Sequence, residues 1–187
     1  MSIAKRILET IQKFEINDIE GALIPVCIAV DATAKREYPS LKSNSVRYKA
    51  FLRDNLWIIG LVGFNGLIGQ KIRLQFNHPD IKQDESGLCN IEDIIYHIIR
   101  CGLLHEASID KYIKFSSKTI LSFDRTKYII SKSLPLGLAA AVILSPFNRN
   151  EKIGDSIGIE IGKAGFLIDH IWGKKNDIGL LFKKGKL

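Results

Sequence analysis

Cysteine is scarce in this chain and falls into no pattern. Cys27, Cys89 and Cys101 are the only three, with no CxxC pair. That excludes a disulfide framework and the usual structural zinc arrangements, and it fits a reduced, cytoplasmic protein. Long hydrophobic runs are missing too. The two most apolar stretches, "LWIIGLVGFNGLIG" and "LPLGLAAAVILSP", have about 14 and 13 residues. Spanning a bilayer takes roughly 20, so both read as core segments and no membrane partner is expected. The opening "MSIAKRILETIQKFE" has neither an uninterrupted apolar stretch nor a small-residue cleavage site, and reads as an amphipathic helix rather than a signal peptide. There is no internal repeat, low-complexity tract or clear linker.

What is present is an ordinary globular mixture, 46% hydrophobic and 25% charged over 187 residues, enough for one well-buried domain. A formal charge of +7 favours an anionic partner, nucleic acid before membrane. Part of that excess lies in the terminal "FKKGKL", which on its own is equally well a solvated tail.

The periodicities predict a mainly helical fold. Ile3, Ile7, Leu8, Ile11 and Phe14 recur at helical spacing behind a Ser2 cap. Residues 20 to 37 read as a longer helix, apolar nearly all round from Ala22 to Val30, with Pro25 near its start or kinking it. A third helix follows a Ser/Asn cap and turns Val46, Ala50, Phe51, Leu52 and Leu56 inward. Glycines 60, 63, 66 and 69 read as a turn region; the spacing superficially fits a nucleotide loop, but no strand precedes it. Residues 76 to 88 read as a polar surface loop. Asn90 then caps a helix with Glu92 and Asp93 in its first turn and an apolar stripe of Ile91, Ile94, Ile95, Ile98, Ile99 and Gly102. A β-hairpin is expected at about 112 to 132, then a buried helix with Pro135 in its first turn, stopped at Pro146. The last segments, "SIGIEIG", "GFLIDHIWG" and "DIGLLFKKG", read as short strands, one of them alternatively a helix. The organisation expected is a helical domain with hairpin over 1–148 and a C-terminal extension of the same domain over 149–187.

One stretch carries chemistry: "IIYHIIRCGLLHEA", residues 94 to 107. Arg100 and His105 lie five positions apart with Gly102 between them. On an ideal α-helix that spacing gives a rise of about 7.5 Å and an offset of roughly 140°, so the two do not face one way. Arginine is long, however, and the glycine removes an intervening side chain. A guanidinium holds phosphate through its fork of donors, and an imidazole moves a proton near neutral pH. Together they suffice, without a metal, to let a ribose 2′-OH attack its own phosphodiester.

"RCGLLHE" on a capped amphipathic helix, with a helical N-terminal half before it and a hairpin and apolar helix after it, resembles the R-x4-6-H motif and layout of the HEPN superfamily over about residues 17 to 148. The resemblance implies a dimerising helical bundle. It further implies a metal-independent endoribonuclease of toxin-antitoxin, anti-phage or RNA-processing type, with Arg100 and His105 as phosphate-binding and catalytic residues and no cofactor. RNA or another phosphate-bearing ligand would be its substrate, a homodimer its working form, and an antitoxin-like protein a further partner. Active members commonly have a polar residue after the arginine, where this chain has Cys101. The alternative is a non-catalytic module of the same fold that binds RNA, a nucleotide or a protein.

Supporting roles are open at this point. Asp31 and Lys35 lie one turn apart, so either reaches the site or the two form a local ion pair. Arg47 and Arg53 either extend a basic groove or sit on a solvated face. Glu106 either orients His105 or is exposed. His97 reads as a packing histidine, and neither His78 nor His170 has neighbours at metal-ligand spacing, so no metal site is expected.

Overall fold

The computed structural model describes residues 2–67, 69, 71–106, 109, 113–118, 121–124, 127–154 and 156–187, without the side chains of 105, 106 and 121–124. The fold is mainly α. Ser2 caps α1 (Ile3–Glu15) by accepting from the Lys5 amide at 3.4 Å, and Ile3, Ile7 and Ile11 are buried along one face. Asn17, at φ 61°, turns the chain. Asp18 then caps α2 (Ile19–Glu37), accepting from the Gly21 amide at 2.9 Å.

The second helix runs through the middle of the domain, with Leu23, Val26, Cys27, Ala29 and Val30 fully buried, and packs on α1, α3 and α6. Pro25 is not at its start. It sits in the second turn, where the helix forgoes the hydrogen bond that a residue-25 amide would give the Gly21 carbonyl.

Helix α3 (Asn44–Asp54) buries Tyr48, Phe51 and Leu52. Val46, expected inside, is 48% exposed, because positions 48, 51 and 52 share a face that excludes 46. After α4 (Leu56–Ile58) the chain continues as a π-helix over Ile59–Gly63 before turning at 64–66. The glycine-rich region is therefore a packing element in its first half. Gly63 lies against Gly137 of α6 (Leu134–Leu144), a helix buried at every residue but Leu136. A Cβ at Gly137 would stand 2.7 Å from the Gly63 Cα and 2.9 Å from the Ile59 carbonyl oxygen, so the backbones must part to admit one. Gly137→Ala should therefore destabilise the chain by about 1–3 kcal/mol, against alanine's ~1 kcal/mol advantage in a helix. Denaturant unfolding measures this, and an equal or more stable variant would refute the close contact.

Strands β1 (Arg73–Gln75) and β2 (Leu88–Asn90) pair antiparallel around the polar loop. β2 leads into α5 (Ile91–Ile94), which runs on as a π-helix over Ile95–Glu106. The expected hairpin is a three-stranded sheet of order β3–β5–β4, from β3 (Ile113–Ser116), β4 (Leu121–Asp124) and β5 (Lys127–Ser131). β4 and β5 form the hairpin, while β3 lies parallel to β5. A bend at Ser117–Lys118, where the Ser116 hydroxyl accepts from the Lys118 amide, splits the first half of the expected hairpin.

Beyond a 3-10 turn at Pro146–Asn148, β6 (Gly158–Ile161) and β7 (Ala164–Leu167) pair antiparallel, then α7 (Ile168–Ile171) and α8 (Lys175–Lys183) close the chain. The last segment, expected as a strand, is helical: Ile178, Leu181 and Phe182 recur at i, i+3 and i+4 and are those turned inward. Residues 149–187 share the core of the rest through Ile159, Ile161, Ile168, Ile171, Trp172 and Ile178. The boundary near 148 falls inside a polar network. Buried Asn148 donates to Thr33 Oγ1 and the Val142 carbonyl and accepts from Arg36.

Glu151 ties the same segment to α1, accepting from the Ser2 hydroxyl and the Ala4 amide at 3.0 Å and from Arg36 at 3.2 Å. Burial works against its charge, but the Ala4, Ser2 and Arg36 bonds hold its pKa below the ordinary 4.5. A depressed folded pKa means stability that is complete above the unfolded value and lost as pH falls through the folded one. Glu151→Gln should therefore cost about 1–2 kcal/mol at neutral pH and flatten the loss of stability below pH 4.5, as followed by thermal melts across pH. A variant curve parallel to wild type would remove Glu151 from this role. No helix of the described residues is long and apolar enough to cross a membrane.

Candidate functional site

The helix entered at Asn90 buries the stripe its sequence predicts: Ile91, Ile94, Ile95, Ile98 and Ile99 are at most 3% exposed, and Gly102 is buried with them. Its entry differs from expectation. The Asn90 side chain makes no cap bond; as the last residue of β2 it donates instead to Asp93 at 3.4 Å. From Ile95 onward the hydrogen bonding is π-helical, and that changes the geometry of the motif. A π-helix joins residues i and i+5, so positions 100 and 105 stand one turn apart on one face. The ideal-α separation of roughly 140° does not apply.

Arg100 is fixed by Asp31 of α2. Its Nε and Nη2 donate to the same carboxylate oxygen, Oδ2, at 3.1 and 2.8 Å, and Oδ1 accepts from Asn44 of α3 at 3.0 Å. The Arg100 side chain is only 12% exposed. Its guanidinium lies over the Tyr96 ring, 5.5 Å from the centroid, and Tyr48 meets Tyr96 edge-on at 5.4 Å. Burial opposes the charge, yet the Asp31 bond outweighs it and raises the arginine's pKa further. The cation is permanent.

Nη1 reaches the Cys101 thiol at 3.9 Å, so the residue after the motif arginine contacts the guanidinium as a weak, polarisable neighbour. Below lies Cys27, whose thiol is fully buried and pushed up to about 12, chiefly by that burial. The buried Tyr48 hydroxyl lies beside that thiol, and burial likewise raises its pKa.

The remaining sequence-predicted residues divide. Asp31 belongs to the site. Lys35 does not: it is exposed and makes no ion pair among the described residues, since the Asp31 carboxylate turns to a partly buried guanidinium rather than to a solvated ammonium. Arg53 is held at the other end of the helix by the buried Glu92, at 3.1 Å, beside a cleft of about 290 Å³ that Lys71 and Asn90 also line. It does not extend the Arg100 cluster. Arg47 binds the Leu41 and Lys42 carbonyls. The side chains of His105 and Glu106 lie outside the described residues. His97 packs edge-on to Tyr96 at 5.0 Å, and burial first, then the Lys49 charge, lowers its pKa.

Three participants escaped the sequence reading: Asn44, Tyr48 and Tyr96. Tyr96, four positions before Arg100, was the one with a signal, since an aromatic residue a turn before an arginine is placed to stack with it. Among the described residues, no three His, Cys, Asp or Glu side chains gather to hold a metal.

The model of one protein family, Rv1289, matches residues 2–186, and the chain belongs to that family. It is similar to "Uncharacterized protein Rv1289" of Mycobacterium tuberculosis (strain ATCC 25618 / H37Rv) and to "Uncharacterized protein Mb1320" of Mycobacterium bovis. Each is 27% identical over 180 residues, covering 92% of this chain and 84% of the relative. No solved structure matches it.

Proposed function

We propose that this Rv1289-family chain is a metal-independent endoribonuclease of HEPN type, with Arg100 as the phosphate-binding residue and His105 as the acid-base residue. The observation that carries the reading is the π-helical register, which puts positions 100 and 105 on one face. Asp31 adds a second support, because a guanidinium pinned through Nε and Nη2 is oriented before substrate arrives.

In this reading His105 takes the proton of a ribose 2′-OH as its oxygen attacks the neighbouring phosphorus. Arg100 stabilises the charge gathering on the phosphoryl oxygens. The bond to the 5′ oxygen breaks, the leaving oxygen receives a proton, and the products are a 2′,3′-cyclic phosphate and a 5′-hydroxyl. Single strands and loops are the expected RNA class, since their riboses and bases are accessible.

The fold proposed is a HEPN-like bundle working as a homodimer. Two Arg100–His105 pairs across an isologous interface give a groove with two phosphate-binding guanidiniums, and an antitoxin-like protein is the proposed further partner. A cytoplasmic address agrees with three unpaired cysteines.

The test is purified chain with mixed RNA and with DNA of matching sequence, both in EDTA, alongside sedimentation at micromolar concentration. RNA cut, DNA spared and a dimeric species are expected; cleavage that needs added metal, or attacks DNA equally, would overturn the reading. One observation favours a second reading, a non-catalytic module binding RNA, a nucleotide or a protein. Asp31 already neutralises Arg100 and leaves it 12% exposed, which suits a fixed anion anchor. RNA binding without cleavage is the result that selects it.

A further inference from the structure

The last helix forms one wall of an open groove that the nuclease reading does not use. The groove holds about 580 Å³ and is lined by Trp57 of α4 and by Lys175, Gly179, Leu180, Phe182 and Lys183 of α8. Trp57 and Phe182 lie with ring centroids 5.6 Å apart and both are half-buried. Leu180 is 55% exposed. An apolar floor is thus open to solvent, where packing against water gains nothing.

Gly179 adds an independent observation. Glycine inside a helix is among the least favourable choices, and elsewhere in this chain close packing explains one, as at Gly63 and Gly137. Gly179 has no such reason: a Cβ built there would meet no heavy atom within 4 Å. Its missing side chain leaves the middle of the groove clear.

The charges on the lining are of one sign. Lys175 and Lys183 stand eight positions apart on α8, a rise of about 12 Å, and no carboxylate lines the groove among the described residues. Lys175 is held by donating to the Asp54 carbonyl at 3.2 Å. Lys183 is exposed and makes no ion pair among the described residues.

We propose that this groove binds one single-chain amphiphile with an anionic head group, of the long-chain carboxylate type. The alkyl chain lies across Gly179 against Trp57, Leu180 and Phe182, and the carboxylate meets Lys183. A concave slot suits one chain better than a bilayer face, for which the nine residues of α8 offer a single exposed leucine.

The full chain titrated with dodecanoate below its micellar concentration tests this through tryptophan emission. Trp57 reports the groove, while Trp172, 5% exposed and bonded to Asp169, serves as the silent background; Trp57→Phe should remove the signal. A saturable change at one ligand per chain is expected. Lys183→Gln should weaken it about fivefold, in line with one partly solvated charge pair, and dodecanol should bind correspondingly less well than dodecanoate. Gly179→Leu should abolish binding with a melting temperature equal to or above wild type, which separates a filled groove from a misfolded chain. Absence of saturation, equal binding by Gly179→Leu or by Lys183→Gln, or a response only to vesicles containing anionic lipid would each overturn the proposal.

Discussion

His105→Ala should lower metal-free RNA cleavage by about 10²- to 10⁴-fold, the usual contribution of a positioned acid-base group, or about 3 to 5 kcal/mol of barrier. No other single substitution outside the core should cost as much activity while leaving the fold intact, because position 105 is at the end of its helix, beyond the buried isoleucine stripe. Arg100→Ala should lower affinity and rate together, since a guanidinium serves the bound phosphate and the transition state alike. Arg100→Lys should restore part of the activity only, because a point charge lacks the bidentate fork. Unchanged circular dichroism in each variant, with initial rates measured in EDTA, makes the comparison. Equal cleavage by wild type and His105→Ala would place the activity elsewhere.

Asp31→Ala should produce the largest loss of stability among the site residues. It leaves the Arg100 guanidinium, 12% exposed, without its carboxylate, and removes the acceptor of the Asn44 amide. Breaking a fully buried pair costs about 3–5 kcal/mol; with the Asp31 side chain 21% exposed, water recovers some of this and about 2–3 kcal/mol is expected. For a domain of this size that is a fall in Tm of roughly 4–12 °C. The double variant Asp31→Ala/Arg100→Met should regain much of the loss, because it removes the stranded charge and keeps the volume. Calorimetry on the wild type, both singles and the double completes the cycle. A single Asp31→Ala variant melting within a degree of wild type would mean that the pair does not hold Arg100.

The sequence made α1 and the stripe on the Asn90 helix legible because each repeats apolar residues at close to 3.6 positions over three turns or more, and burial then follows from period alone; α2 was legible as a long stretch apolar nearly all round. Short elements were less legible. "DIGLLFKKG" holds too few residues to separate a strand from a helix; the inward edge of α3 differs from expectation because Val46 opens the helix before its face is established. Gly63 read as a turn residue because its reason, Gly137, comes from a distant helix.

Asp31 was legible as a candidate but its partner was not, since the choice between Lys35 and Arg100 is made by tertiary burial and by the second bond from Asn44. The least legible feature was the π-helix. Side-chain pattern sets which face is apolar, whereas the hydrogen-bond register within the helix depends on what packs against it. An α-helical reading therefore put residues 100 and 105 on different faces, and the observed register puts them on one.

The proposed chemistry uses the substrate's own 2′-OH as nucleophile, and one comparison isolates that step. An RNA oligonucleotide and its 2′-O-methyl counterpart, equal in sequence and charge, are incubated with the purified chain in EDTA and their ends analysed. The account predicts that the unmodified RNA is cut to a 2′,3′-cyclic phosphate while the methylated strand stays whole; cleavage of both strands, or of neither, would contradict it.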